Sequence, residues 1–168
     1  MANPKNRLPD CGLYRATKAL PANEEKIPAG SIVYFHNHSD QGSLPSVLAP
    51  DHNVHNRWHF HGPPIVFRGL TWVETLEALP AEGFYILRKE LNEDGALLPK
   101  STIVQLGYTQ KADPILFVAR IPAQLTQNVL LFSEKGIGIK REFLSHLEQT
   151  RWHTEAPEPG GHTSGQHE

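Results

Sequence analysis

Ile27-Pro-Ala-Gly-Ser-Ile-Val-Tyr-Phe-His-Asn-His38 returns, altered, as Leu98-Pro-Lys-Ser-Thr-Ile-Val-Gln-Leu106, 71 positions further along the chain. Pro28, Ile32 and Val33 meet Pro99, Ile103 and Val104. Two more blocks fall on the same spacing. Gly12-Leu-Tyr-Arg-Ala-Thr-Lys-Ala-Leu20 faces Gly83-Phe-Tyr-Ile-Leu-Arg-Lys-Glu-Leu91, and Trp72-Val-Glu-Thr-Leu-Glu77 faces Phe143-Leu-Ser-His-Leu-Glu148. Asn56 and Phe60 face Asn128 and Phe132 after a slip of one residue. Blocks in order on one diagonal read as a single unit written twice.

The local pattern of each copy is that of β-strands. Gly12–Ala16, Ser31–His38, Ser46–Ala49, Arg57–His61 and Val66–Arg68 are rich in β-branched and aromatic residues, with Gly, Pro and Asn between them. In the second copy Gly83–Leu91, Thr102–Tyr108, Pro114–Ile121 and Asn128–Phe132 follow the same order. Pro21–Pro28 and Asp51–Asn56 read as polar loops. Thr71–Leu79 reads as a helix, with Thr71 as its cap and Trp72, Leu76 and Leu79 on one face. Arg141–Thr150 reads as its counterpart. The expected fold is mainly β with some helix (α+β). It has two tandem units of about 70 residues, each a small SH3-like or curled antiparallel sheet followed by one helix. Units of that size are marginal alone, so they should pack on each other. The expected boundaries are a leader over 1–11, a first unit over 12–80, a second over 81–152 and a disordered tail over 153–168.

Charge and composition narrow the function. Over 168 residues the net charge is −2, which gives no footprint for nucleic acid or an acidic membrane surface. No apolar run approaches the ~20 residues of a membrane-spanning helix. Cys11 is the sole cysteine, so no internal disulfide forms, which suits a reducing cytoplasm. No convergent set of nucleophile, base and acid is visible, so no residue is assigned a catalytic role.

The two copies differ most in histidine. His36, His38, His52, His55, His59 and His61 lie within 26 residues, whereas the matching stretch Gly107–Phe132 has none. Alternation along a strand places Val33 and Phe35 on the core face and Tyr34, His36 and His38 on the other. Trp58 and Phe60 face the core, and Arg57, His59 and His61 face away from it. Three readings stay open. His36, His38, His59 and His61 can share a zinc or other divalent ion, with Asp40 as a further ligand or an orienting group. Alternatively Tyr34, His36, His38, Arg57, His59 and His61 form a polar surface that recognises a partner. Or the imidazoles are simply solvated. The expected function is a non-enzymatic, cytoplasmic protein-interaction module of the inhibitor or immunity type, requiring no cofactor and binding another protein. The alternative is a metal-binding protein or metal-dependent hydrolase built on the first-unit histidines.

Overall fold

The computed structural model describes residues 8–37, 42, 44–68, 71–93, 95–120 and 130–150. The chain is mainly β, with antiparallel sheets. Its first half runs through β1 (Gly12–Ala16), β2 (Ile32–His36), β3 (Ser46–Leu48), β4 (His52–Val54), β5 (Arg57–His59), β6 (Ile65–Val66) and β7 (Leu76–Ala78). Its second half runs through β8 (Gly83–Leu87), β9 (Leu91–Glu93), β10 (Ala96–Leu98), β11 (Ile103–Tyr108), β12 (Pro114–Arg120), β13 (Leu131–Phe132), β14 (Ile137–Gly138) and β15 (Leu147–Gln149).

A five-stranded sheet has the order β6-β3-β2-β1-β7, and a six-stranded sheet has β13-β12-β11-β8-β15 with β14 also on β12; β9 pairs with β10 and β4 with β5 in two-stranded sheets. The registers coincide. Tyr14 pairs with Val33 as Tyr85 pairs with Val104, and Arg15 pairs with Glu77 as Ile86 pairs with Glu148. Every one of these residues moves by 71 positions between the sheets. The third strand keeps the pattern at a shorter spacing, with Val47 opposite Phe35 and Leu116 opposite Leu106. Small devices repeat as well. Tyr14 Oη donates to the Asp10 carbonyl, and Tyr85 Oη donates to that of Ala81. Ser31 Oγ donates to Pro28 O, and Thr102 Oγ1 donates to Pro99 O.

The two expected helices do not form. Thr71–Leu79 contains one 3-10 turn, Val73–Thr75, and then the strand β7. Arg141–Thr150 contains a 3-10 segment, Arg141–His146, and then β15. That segment is the one helical stretch longer than a single turn among the described residues. Thr71 does not cap; residue Trp72 occupies the cap position and supplies no side-chain bond. Helices this short are marginal in water. Here Leu76 and Leu147 turn to extended backbone, and the following residues pair with β1 and β8. Ladder hydrogen bonds to a sheet edge outweigh an apolar spacing that spans barely two turns.

Two core clusters form. Tyr14, Ala16, Val33, Phe35, Val47, Trp72 and Val73 pack on one face of the first sheet. Tyr85, Leu87, Val104, Leu106, Tyr108 and Leu116 form the second cluster, which also takes in Leu13 and Ile32 from the opposite face of the first sheet. The β2 face expected to point away from the core is therefore partly a seam between the sheets, and the Ile32 amide donates across it to the Gln110 carbonyl. Val33, Phe35, Val104 and Leu106 are fully buried as expected. Trp58, Phe60, Leu76, Phe132 and Leu147 are half-buried rather than core. Among the described residues no helix is long and apolar enough to cross a membrane. The tail over 153–168 and residues 1–7 of the leader lie outside the described residues. Leu8, at the end of that leader, packs on the first cluster.

Candidate functional site

Six histidines were drawn from one sequence stretch, and the structure sorts them by a hairpin. The segment read as a loop over Asp51–Asn56 is instead β4 and a tight turn. His52 pairs with His59, Asn53 with Trp58 and Val54 with Arg57. His55 and Asn56 form the turn with φ of 51° and 62°. Positive φ at both central residues is the mark of a type I′ turn, whose twist matches that of an antiparallel pair. Asn tolerates this region well; His adopts it at some cost.

One side of the hairpin is fastened to the second sheet. Trp58 donates its indole N–H to the Tyr108 carbonyl at 2.8 Å and its backbone N–H to Glu82 Oε2 at 2.8 Å. Gln105 Nε2 donates to the His55 carbonyl at 2.7 Å, and Asn56 Nδ2 donates to Gln105 Oε1 at 3.2 Å. Gln105 is thereby a buried polar residue with both ends of its amide satisfied. The face of β11 that carries Gln105 and Gly107 is the hairpin's seat.

Glu82 holds the base of this clamp. Burial pushes its carboxyl up to about 7, against the opposing pull of the Trp58 amide, the Arg57 charge and the Tyr108 backbone. Its Oε1 is buried without a hydrogen-bond partner. Burial also raises the Tyr108 hydroxyl, reinforced by Tyr85 and Glu82, and that hydroxyl donates to the Pro80 carbonyl.

The other side of the hairpin carries imidazoles. His52 and His59 stack with centroids 4.7 Å apart and planes 2° from parallel. His61 completes a triangle, 5.4 Å from His59 and 5.9 Å from His52. One ligand nitrogen from each lies within 4.8 Å of the others. His52 and His61 are exposed and His59 is half-buried. Asp51 Oδ2 sits 3.0 Å from His52 Nδ1. A carboxylate oxygen can only accept, so this contact favours the tautomer with its proton on Nδ1 and its lone pair on Nε2.

Of the expected residues, His59 and His61 come together, joined by His52 rather than by His36. Arg57 is exposed, two residues before His59 on the same strand. Tyr34 lies elsewhere, against His36 at 4.8 Å and Phe60 at 5.8 Å. His38 and Asp40 lie outside the described residues. His52 and Asp51 were missing from the expected set. A two-residue turn at His55-Asn56 is the signal that would have placed His52 opposite His59. Cys11 is engaged with the backbone of Asn37, whose N–H reaches its Sγ at 3.1 Å.

A groove of about 390 Å3 is lined by Leu20, Pro21, Phe67 and Trp72. A wider, open one of about 620 Å3 lies at the hairpin's turn, between His55, Asn56, Gln105, Phe84 and Phe132. No protein-family model, curated protein or solved structure matches the chain.

Proposed function

We propose that this chain is a non-enzymatic, cytoplasmic binding module, made by internal duplication of an SH3-like unit over 12–80 and 81–152, whose recognition element is the β4–β5 hairpin. The shared strand order and register support the duplication. A meander whose last strand returns to the first after a 3-10 turn supports the SH3-like reading. The observation that carries the function is the asymmetry of the hairpin. One side is locked by four hydrogen bonds to Glu82, Gln105 and Tyr108. The other presents His52, Arg57, His59 and His61, mostly exposed. A rigid support under an exposed polar face pre-organises recognition, because little ordering entropy is lost on binding. The second unit's corresponding sequence has no histidine. The partner is another protein, since a net charge of −2 favours neither nucleic acid nor an acidic membrane.

Site-directed crosslinking tests this. A photo-reactive residue at exposed position 54, the cross-strand partner of Arg57, should give one discrete protein adduct in the source cells, lost when Arg57→Glu is added. The same residue at exposed position 89 should give none. Equal labelling from both positions, or none from position 54, rejects the hairpin as the recognition element.

A further inference from the structure

We propose that His52, His59 and His61 bind one late-transition divalent cation such as Zn2+, through a site pre-set by the hairpin. This deepens the recognition reading of the same face and rests on it only for what the ion then presents to a partner.

The argument begins with spacing. His52 and His59 are a cross-strand pair, and His61 follows two residues after His59. Cross-strand and i, i+2 neighbours on one face are the closest approach a hairpin offers to side chains. Three nitrogens bound to zinc at about 2.0–2.1 Å in tetrahedral geometry stand roughly 3.3 Å apart. The three candidate atoms already lie within 4.8 Å of one another. Closing the widest gap takes about 1.5 Å, within reach of rotating a half-exposed or exposed imidazole about its two side-chain torsions. The stacked pair must tilt out of parallel to aim both lone pairs at one point.

Chemistry points to the same class of ion. Imidazole donors favour zinc, copper and nickel over magnesium and calcium, which demand oxygen. Asp51 accepts from Nδ1 of His52, the carboxylate–histidine arrangement that orients a metal-binding imidazole. Three protein ligands leave a fourth position open. On an exposed face that position is available to a carboxylate or imidazole of a partner protein.

The test uses the full chain and Zn2+ alone, followed by calorimetry, with Co2+ absorption as a reporter of tetrahedral coordination. The wild-type protein should bind one ion at this site. His52→Ala, His59→Ala and His61→Ala should each weaken binding about ten-fold or more, and Asp51→Asn should weaken it by a similar factor. His36→Ala, His146→Ala and the double variant at His162 and His167 should keep the site. Unfolding midpoints measured with chelator should be close to wild type for all of them. Zinc affinity unchanged by His52→Ala, or lost equally on changing His162 and His167, overturns the proposal. Crosslinking from position 54 that persists in chelator, together with no zinc site, would reject the metal and leave the recognition reading standing. Zinc binding without a crosslinked partner would do the reverse.

Discussion

Gly107 lies beneath Asn56 so closely that a β-carbon on it would come 2.8 Å from the Asn56 carbonyl oxygen. Position 107 is the one that corresponds, at a spacing of 71, to His36 in the first sheet. The absence of a side chain there lets the hairpin turn reach Gln105 and exchange two hydrogen bonds with it. A glycine inside a strand commonly marks such a close backbone approach. The difference between the two sheets therefore includes the seat as well as the histidines.

Gly107→Ala should lift the turn off its seat. The contact is with backbone, which has little freedom to move aside, so a cost of about 1–3 kcal/mol is expected. Thermal unfolding measures the cost. Hydrogen exchange at the amides of β4 and β5 should rise more than at β1 and β2. Uniform protection in the variant would show that the hairpin does not depend on Gly107.

Trp58→Phe should keep the ring's apolar contacts and lose the bond to the Tyr108 carbonyl. Leaving that carbonyl unpaired is expected to cost about 1–2 kcal/mol. The same variant should weaken zinc binding only modestly, since the backbone bond from residue 58 to Glu82 remains. A midpoint equal to that of the wild type would mean the indole bond contributes nothing net.

Glu82 gives the hairpin a pH dependence whose sign follows from its raised pKa. In the folded chain it keeps its proton up to about 7, against 4.5 for an unperturbed glutamate. Between those values the folded state binds more protons than the unfolded one. The contribution of Glu82 is thus fully present below the lower value and is lost as pH rises through about 7. Each pKa unit is about 1.4 kcal/mol, and partial exposure discounts the total, leaving a swing on the order of 1 kcal/mol. Glu82→Gln retains an oxygen for the Trp58 amide and removes the titration. The stability of the wild type relative to this variant should fall by that amount from about pH 5 to about pH 8. A constant difference would place Glu82 in a more solvated setting.

Much of the sheet framework was legible in the sequence because burial of one face of a strand leaves a readable alternation. Val33, Phe35, Val104 and Leu106 alternate with more polar neighbours, and all four are fully buried. The helix over Thr71–Leu79 was misread because Trp72, Leu76 and Leu79 have helical spacing, while β7 is set by a partner 60 residues away that no local pattern reveals. The hairpin was missed for a different reason. His52-Asn53-Val54 is exposed at all three positions, so no apolar alternation marks it as a strand. Its turn lacks the glycine that usually announces a type I′ geometry. With β4 unseen, His52 and its neighbour Asp51 could not be set beside His59, and His36 was given their place.

Phe35→Ala and Phe132→Ala should separate the true core from its margin. Phe35 is fully buried, with edge-on contact to Tyr14, and its loss should cost about 3–5 kcal/mol. Phe132 is half-buried and stacks on Phe84, so its loss should cost roughly half as much. Chemical denaturation of both variants checks the ranking. Equal losses would show that Phe132 is more enclosed than its exposure indicates.

Gly30 and Ser101 occupy equivalent turns, and this equivalence can itself be tested. The Gly30 amide donates to the Ala16 carbonyl, and the Ser101 amide donates to that of Leu87, a spacing of 71 at both ends. Both residues are left-handed, with φ of 86° and 71°. Glycine adopts this conformation freely, whereas serine pays about 1 kcal/mol for it. Ser101→Gly relieves that cost and adds freedom to the unfolded chain, two effects of similar size and opposite sign. Gly30→Ser runs both effects in reverse, and Arg15 lies 3.9 Å from where its β-carbon would sit, an ordinary contact. The two exchanges should therefore give small changes of opposite sign, each within about 1 kcal/mol. Unfolding of the two single variants and of the double exchange measures this. Near-additivity, with the double variant close to wild type, is expected if the turns are the same device used twice. A large loss in Gly30→Ser without a gain in Ser101→Gly would show that the two turns resemble each other in backbone but not in what surrounds them.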